Sequence, residues 1–183
     1  FSCGSLEKCE FLLKPYLGAG LIQKAMARII SIVNQKGGVG KTTTTVNVAS
    51  FLAKEGQRVL LVDMDAQGNA TSGVGLDPRN LPHSMYDVLI GTSPIADALF
   101  ETVVSGLHII PANVDLAGAA IELVNQEERE YRLQHALTQL AHAYDFILID
   151  CPPSLGFLTV NALRASSEVI IPVETSRFSL QGV

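Results

Sequence analysis

The sequence predicts an α/β fold of three layers, with a mostly parallel sheet between two layers of helices. Two unbroken apolar runs, residues 59–62 and residues 146–149, are typical of strands that helices cover on both faces. A glycine-rich turn at residues 36–43 follows a first apolar segment and precedes a segment of helical composition. A strand, a turn, a helix and a second strand in this order form a parallel unit with a right-handed crossover.

Composition and charge restrict the functions that this chain can have. Its 183 residues are enough for one α/β domain, and a hydrophobic fraction of 48% with a mean hydropathy of +0.29 excludes a disordered protein. No apolar run approaches the roughly 20 residues of a membrane-spanning helix. The net charge of −5 argues against a broad basic surface for nucleic acid within these residues. Three cysteines without disulfide or metal spacing favour the reducing cytoplasm.

Residues 1–25 differ from the rest of the chain. They contain a short apolar stretch, residues 11–22, which lysine, proline and glycine interrupt. Residue 26 is a methionine, and the strand-like residues 28–33 follow it almost directly. We therefore expect the native protein to begin at Met26, so that residues 1–25 are a non-native or disordered extension and residues 26–183 form one domain.

Apolar periodicity and turn residues predict the order of the remaining elements. Strands are expected at residues 28–34, 58–63, 107–111, 146–150 and 168–173. Helices are expected at residues 42–55, 84–89, 94–100, 115–124, 127–144 and 154–165, and residues 179–183 have the composition of a helix start. Ser154 is expected to cap the helix that follows it.

The turn at residues 36–43 reads Lys-Gly-Gly-Val-Gly-Lys-Thr-Thr and has the features of a phosphate-binding loop. Backbone N–H groups of such a loop point inward, and the helix that follows adds partial positive charge. Lys41 is placed to reach the β- and γ-phosphates of a nucleotide, and the Thr42 hydroxyl to ligate Mg²⁺. The general pattern has glycine where this chain has Gln35, and a second lysine, Lys36, comes next. The alternative interpretation is an ordinary glycine-rich surface turn.

Three aspartates fall at or just after strand ends. Asp63 ends the second strand, Asp65 lies two residues beyond it, and Asp150 ends a later strand. Ligands bind at the carboxyl ends of the strands in open parallel sheets, so the three carboxylates are expected to converge on the glycine-rich loop. Asp150 is then a Mg²⁺-associated acid acting through water, Asp65 positions the attacking water, and Asp63 is a further candidate for support of the metal. Taken alone, each aspartate is more often a turn former.

Two further residues allow two interpretations each. Lys36 precedes the glycines, so it either points towards the nucleotide of a neighbouring chain or is a solvated lysine. Cys151, beside Asp150, is either a nucleophile or a small buried thiol at a strand end, and the second interpretation is favoured.

Three motifs together resemble the ParA/Soj family of partitioning ATPases, in the deviant Walker A class of P-loop proteins to which MinD also belongs. They are the loop at residues 36–43, the segment Val-Asp-Met-Asp-Ala-Gln-Gly-Asn-Ala-Thr-Ser-Gly at residues 62–73, and Asp-Cys-Pro-Pro-Ser at residues 150–154. Residues 111–123, with Asp-Leu-Ala-Gly from Asp115, also resemble the family. The family continues beyond the point where this chain ends, so the chain resembles a P-loop NTPase fold that is truncated at its C-terminus.

The resemblance implies a weak ATPase that uses ATP and Mg²⁺ and forms a homodimer when ATP is bound. Lys36 would contact the partner's nucleotide, and Lys41 the β- and γ-phosphates. Asp65 would position the hydrolytic water, while Thr42 ligates Mg²⁺ and Thr43 contacts the α-phosphate. The implied nucleotide-binding residues are Gly37, Gly38, Val39, Gly40, Lys41, Thr42 and Thr43, with Gly37 against the dimer interface.

The family also implies partners and a cellular role. Its ATP-bound dimer binds DNA non-specifically, and a centromere-binding protein of the ParB/Spo0J type stimulates hydrolysis and releases it. Replicated DNA is thereby moved or positioned in the cytoplasm, on the nucleoid. The DNA-binding residues are expected beyond Val183, and no membrane contact is expected.

Three alternatives remain open from the sequence. A MinD-like septum-positioning ATPase shares the loop and would need an amphipathic membrane helix outside this chain. An iron protein of the nitrogenase type shares it too, but would need cluster-ligating cysteines where the domain has only Cys151. From another class, the chain could be a nucleotide-gated binding module with negligible turnover.

Overall fold

The computed structural model describes residues 26–173, which form an α/β fold around one six-stranded sheet. In chain order the strands are β1 Arg28–Ile32, β2 Val59–Asp63, β3 Phe100–Glu101, β4 Leu107–Ile110, β5 Phe146–Asp150 and β6 Glu168–Ile170. Across the sheet the order is β3-β4-β2-β5-β1-β6, and every neighbouring pair is parallel except β3 and β4. The expected mostly parallel sheet is therefore confirmed. The expectations for residues 1–25 and 179–183 lie outside the described residues.

Helices cover both faces of this sheet. They are α1 Lys41–Lys54, α2 Asn69–Gly73, α3 Met85–Ile90, α4 Ala119–Glu122, α5 Arg132–Thr138 and α6 Phe157–Ala165, with 3₁₀ helices at Val114–Gly118 and Arg129–Tyr131. No helix within residues 26–173 combines the length and the apolar composition that crossing a membrane requires.

Alternate residues of the central strands enter two separate hydrophobic cores. Leu60 and Val62 of β2 pack in one core, which the helices α3 to α6 cover, whereas Leu61 packs with Ala49 and Ala53 of α1 in the other. All of these side chains are buried. Burial on both faces explains why β2 is an unbroken apolar run rather than an alternating one, as the sequence predicted.

The register of the sheet places the strand-end acids side by side. Asp63 at the end of β2 is paired with Asp150 at the end of β5, and Asp150 is in turn paired with Ile32 at the end of β1. The glycine-rich loop at residues 36–43 begins shortly after Ile32, where the pairing of β1 with β5 ends. Parallel pairing thus brings the loop and both carboxylates to the same edge, at the carboxyl ends of the strands.

The prediction of one long helix at residues 127–144 is wrong. The chain forms a 3₁₀ turn, the short α5 and then successive turns, in which Leu140 and Ala143 donate to backbone oxygens three residues earlier. Tertiary contacts explain the break, since Ala27 donates to the Ala141 oxygen and Tyr144 is buried against the sheet. Such contacts override helix propensity, which is a weak force over a few residues.

Other boundaries also differ from the expectation. Residues 94–99 form turns instead of a helix, and the next two residues form β3, which pairs with β4 and was not expected. Helix α6 begins at Phe157 after Gly156, so Ser154 does not cap it; instead the Ser154 backbone oxygen accepts a hydrogen bond from Thr159. The last strand ends at Ile170 rather than at residue 173.

Candidate functional site

The glycine-rich loop runs from the end of β1 into α1. Gly38 (φ 76°) and Gly40 (φ 83°) adopt left-handed backbone conformations, which residues with a Cβ rarely accept. Val39 between them is buried and holds the loop against the domain. The Lys41 side chain folds back over the loop, where its Nζ donates to the backbone oxygen of Lys36 at 3.3 Å. The Lys41 amine therefore lies at the open side of the loop, where phosphate oxygens would bind.

Asp150 is joined to α1 by two threonine hydroxyls. Thr42 Oγ1 donates to Asp150 Oδ2 at 2.7 Å, and Thr45 Oγ1 lies 3.0 Å from Oδ1 and 2.9 Å from the Lys41 backbone oxygen. Asp150 is fully buried, and this burial raises its pKa, although both hydroxyls favour the charged form. The carboxylate at the end of β5 thus sets the position of the hydroxyl expected to ligate Mg²⁺.

Asp63 is buried beside Asp150 but faces different donors. Its Oδ1 accepts from the Asp65 backbone N–H at 3.1 Å, and its Oδ2 accepts from the Thr71 N–H at 2.9 Å and the Thr71 hydroxyl at 2.8 Å. Burial raises the pKa of Asp63 from 3.8 to about 7, while the Thr71 bonds act in the opposite direction. Asp63 thus holds the backbone at residues 65 and 71 in place. Its expected support of the metal stays a prediction.

Asp65 occupies a more open position than its two neighbours in the sheet. It is partly exposed, and its Oδ1 accepts from the Gln67 backbone N–H at 3.0 Å. Its backbone oxygen accepts from the Gly68 N–H at 2.9 Å, which closes a tight turn after β2. The turn directs this carboxylate towards the cleft in front of the glycine-rich loop.

That cleft has a volume of about 370 Å³ and brings the three sequence motifs together. Its lining residues are Gly37, Gly38, Gly40, Lys41, Thr42, Thr43, Asp65, Gln67, Asn69 and Pro153. A larger cleft of about 610 Å³ lies next to it, shares Gln67, and is walled by residues 77–79 and 113–115. The smaller cleft holds the chemistry, because the loop lysine, the hydroxyls and the Asp65 carboxylate all face it.

The remaining site residues expected from the sequence lie just outside this cleft. Val39 is buried under the loop, Asp150 reaches the cleft through Thr42, and Asp63 lies behind Asp65. Lys36 is exposed at the start of the loop, and its backbone N–H donates to Asn34 Oδ1 at 2.9 Å.

Three residues in or near the site were missed. Asn34 connects the loop to the chain after β6, because its Nδ2 donates to the Pro172 oxygen at 2.9 Å. Thr45 and Thr71 each hold one of the buried carboxylates. A run of four threonines, residues 42–45, was the visible signal for Thr45, since it lies one helical turn from Thr42 on the same face.

Cys151 is confirmed as a small buried thiol. Burial raises its pKa from 9.0 to about 12, so the thiolate needed for nucleophilic attack does not form near neutral pH.

The donor set of the cleft fits a magnesium-bound nucleotide. Mg²⁺ prefers hard oxygen ligands and keeps several waters, and the cleft offers the Thr42 hydroxyl with the Asp150 carboxylate 2.7 Å behind it. A Cβ added at Gly37, Gly38 or Gly40 would meet no atom within 4 Å, so the loop opens on space that phosphate groups can fill. Thr42, with Asp150 through water, would hold the metal.

Comparison with known proteins places this chain in a family. Residues 27–183 match the family AAA_31, an AAA domain. The sporulation initiation inhibitor protein Soj of Bacillus subtilis (strain 168) is 52% identical over 86% of this chain and 62% of its own length. The chromosome partitioning protein ParA of Myxococcus xanthus is 52% identical over 86% of this chain and 56% of its own length. The chain thus spans about three-fifths of the length of these curated relatives.

Solved structures share the fold. Cobyrinic acid a,c-diamide synthase from Mycobacterium smegmatis, crystallised with an ATP analogue and magnesium, is 45% identical with a TM-score of 0.80, over 85% of this chain and 65% of that one. The septum site-determining protein MinD from Pyrococcus horikoshii OT3, complexed with Mg-ADP, is 34% identical with a TM-score of 0.73, over 85% of this chain and 61% of that one. Because residues 27–183 match AAA_31 and the chain is 52% identical to both Soj and ParA over 158 residues, the chain belongs to the ParA/Soj family within AAA_31.

Proposed function

We propose that this chain is the nucleotide-binding part of a DNA-partitioning ATPase, which dimerises when Mg²⁺-ATP binds and hydrolyses ATP weakly until a partner protein stimulates it. The observation that carries the proposal is the convergence of Lys41, Thr42 and Asp65 on one cleft, beside a second lysine, Lys36. The names of the relatives, Soj and ParA, support the same role.

The chain's own residues bind and orient the triphosphate. Backbone N–H groups of the loop and of the start of α1 donate hydrogen bonds to phosphate oxygens. The Lys41 amine gives up its hydrogen bond to the Lys36 backbone oxygen and binds the β- and γ-phosphates instead. Thr42 is held by Asp150 in a position to ligate Mg²⁺. The metal, when bound, neutralises charge on the phosphates. Phosphoryl transfer depends mainly on such alignment and charge neutralisation, so few further groups are required.

Asp65 orients the attacking water. The Gln67 N–H and the turn closed by Gly68 fix the direction of its carboxylate at the cleft. A carboxylate so placed accepts a hydrogen bond from the water and directs the oxygen towards the γ-phosphate. Asp63 and Asp150 are fully buried, whereas Asp65 is partly exposed, so among the three strand-end aspartates Asp65 is the one open to bulk solvent.

Dimerisation explains two features of the loop that a single chain does not require. Gly37 has space around it, since an added Cβ would meet no atom within 4 Å, and its φ is not left-handed. Lys36 is exposed beside it. A second copy closing on this surface would need the glycine for close approach, and it would receive Lys36 at its own nucleotide.

The cycle couples nucleotide state to DNA. We assign non-specific DNA binding to residues outside this chain, because its net charge of −5 is unsuited to a polyanion. A ParB/Spo0J-type protein stimulates hydrolysis and releases the dimer, and the protein acts in the cytoplasm on the nucleoid.

Three other functions remain as competitors. The MinD structure favours a membrane-associated septum-positioning ATPase, and the Mycobacterium smegmatis structure favours an ATP-dependent synthase. A nucleotide-gated binding module with negligible turnover uses the same cleft without Asp65 acting on water.

The test is phosphate release by the full-length natural protein with Mg²⁺-ATP. We measure it alone, with double-stranded DNA, with a ParB-type protein from the same genome, and with both, and in parallel with anionic lipid vesicles. We expect slow release alone and a marked increase with DNA and the ParB-type protein together.

Other results would redirect the assignment. Stimulation by vesicles in place of DNA would favour the MinD-like function, and ATP binding without phosphate release under any condition would favour the binding module. Phosphate release that requires an added carboxylate and an amine donor would favour the synthase.

A further inference from the structure

A chain of buried hydrogen bonds runs behind the cleft from the backbone of Asp65 to Ala112, just after the end of β4. Asp63 receives the Asp65 N–H on one oxygen and both the N–H and the hydroxyl of Thr71 on the other, at 2.8–3.1 Å. The same Thr71 hydroxyl accepts from the Ala112 N–H at 3.0 Å. Asp63, Thr71 and Ala112 are all fully buried.

These bonds hold both ends of the loop that carries Asp65. The backbone at residue 65 and the backbone at residue 71 are tied to the same carboxylate, which itself is fixed at the end of β2. Loss of a buried hydrogen bond leaves a donor without an acceptor, which costs the full desolvation penalty of that group. The direction of the Asp65 side chain is therefore fixed in two ways: Asp63 holds its backbone, and the Gln67 N–H holds its carboxylate.

The Thr71 hydroxyl has two roles that only a hydroxyl combines. It donates its proton to Asp63 and accepts the Ala112 N–H. Valine has the same shape but neither function, so it would leave the Ala112 N–H without its acceptor and Asp63 with one donor fewer. Serine keeps both functions.

We propose that Thr71 is a positioning residue for ATP hydrolysis, which holds Asp65 in its catalytic direction through Asp63 and the backbone of Ala112. The inference rests on the proposed ATPase function. Thr71 does not line the phosphate cleft, so its effect must pass through Asp65 and not through contact with the nucleotide. Asp63 is likewise a positioning group in this proposal, since both of its oxygens accept hydrogen bonds from donors of its own chain.

The first experiment separates turnover from binding in the full-length protein. Thr71→Val should lower kcat for phosphate release by roughly 10- to 100-fold, because displacement of a catalytic group by about 1 Å has effects of this size. The dissociation constant of a fluorescent ATP analogue should change by less than about 2-fold, since the Lys41 loop is intact. Thr71→Ser should restore kcat.

Thr102→Val is the matched control. The Thr102 hydroxyl also donates and accepts, to the Leu107 oxygen at 2.9 Å and from the Val104 N–H at 3.1 Å, but it lies before β4 at the opposite end of the sheet. The control should lose stability as Thr71→Val does and keep kcat. Equal losses of kcat in the two variants would show that Thr71 is merely structural.

A double variant tests the path of the effect. If Thr71 acts through Asp65, Thr71→Val should lower kcat no further in an Asp65→Ala background. A full additional loss in that background would overturn the proposal. If Thr71→Val does not fold, Asp63→Asn serves in the same comparison, since it keeps the size of the side chain and replaces one acceptor by a donor.

Amide hydrogen exchange tests the same bonds without turnover. In Thr71→Val, exchange should accelerate together in residues 65–71 and 110–113 and stay unchanged in residues 36–43. Unchanged exchange in the first two segments would overturn the proposal. If the wild-type protein binds ATP but releases no phosphate, the ATPase function fails, and this exchange result still decides whether Thr71 holds the Asp65 loop.

Discussion

The glycine-rich loop and the strand-end aspartates meet at one cleft, yet they depend on the sequence in different ways. In the proposed function the loop acts through backbone N–H groups and through Lys41 and Thr42, which are neighbours in the chain. Its geometry follows from local spacing and from glycines such as Gly38 and Gly40. The aspartates come from β2 and β5, and their roles depend on which donors the fold brings to each of them.

Burial and hydrogen-bond partners separate three residues that look alike in sequence. Asp150 bonds the threonines of α1, Asp63 bonds Thr71 and the Asp65 backbone, and Asp65 itself is partly exposed at the cleft. Asp150 thus holds the hydroxyl proposed to ligate Mg²⁺, Asp63 holds the backbone, and Asp65 is open to solvent. The difference teaches that residue type at a strand end predicts location, whereas the surrounding donors decide the role.

The largest expected effect is on the loop side of this comparison. Lys41→Ala should abolish ATP binding, because the lysine amine is the cation nearest the phosphates and charge-assisted bonds are the strongest in such a site. Isothermal titration calorimetry with an ATP analogue measures the loss. Lys54→Ala, an exposed lysine at the end of α1, is the control and should bind as the wild type does. Retained micromolar affinity in Lys41→Ala would contradict the phosphate cradle.

Lys36→Ala tests whether the loop serves one chain or two. It should leave ATP binding to the monomer unchanged and remove the ATP-dependent dimer, and hydrolysis could fall by up to ~10³-fold if Lys36 acts like an arginine finger. Sedimentation velocity with a slowly hydrolysed ATP analogue distinguishes monomer from dimer. A normal dimer in this variant would show that Lys36 does not act across the interface.

Asp65→Ala tests the aspartate side. Hydrolysis should fall by roughly 10²-fold, in the range lost with a general-base group, while ATP binding and dimerisation persist, so that the ATP-bound dimer accumulates. Single-turnover phosphate release measures the effect. Asp97→Ala removes an exposed carboxylate elsewhere and should have no effect. Unchanged turnover in Asp65→Ala would move the water-positioning role to another group.

The sheet and the loop could be predicted because their signals are local. The apolar runs of β2 and β5 and the spacing of residues 36–43 each determine their own structure, and the parallel sheet that they predict is confirmed. Parallel pairing then places Asp63 beside Asp150, as predicted from the position of each at a strand end. The prediction of a helix at residues 127–144 failed because contacts with distant residues, such as the hydrogen bond from Ala27 to Ala141, decide where the helix ends.

The supporting contacts of the site could not be predicted from the sequence. The bond between Thr71 and Ala112 joins residues 41 positions apart, and that between Thr45 and Asp150 joins residues 105 positions apart. Nothing local marks Thr71 as a partner of a carboxylate, and the run of threonines at residues 42–45 draws attention to Thr45 without indicating which residue it contacts. Such pairs arise only when strand order and register are known, so sequence motifs identify the groups that touch the ligand better than the groups that hold them in place.

The smallest expected effect concerns protonation of Asp63, where burial and hydrogen bonding act in opposite directions. Burial raises the folded-state pKa from 3.8 to about 7, so the folded protein binds more protons than the unfolded chain between about pH 4 and pH 7. The stability that this group contributes is therefore full below pH 4 and is lost as the pH rises through 7. Asp63→Asn should flatten this decline, measured as the difference between urea midpoints at pH 5 and pH 8, whereas Asp97→Asn should keep it. A wild-type decline no steeper than that of Asp63→Asn would mean that the three donors offset burial and keep the folded-state pKa below this range, so that the carboxylate holding the Asp65 loop is charged throughout.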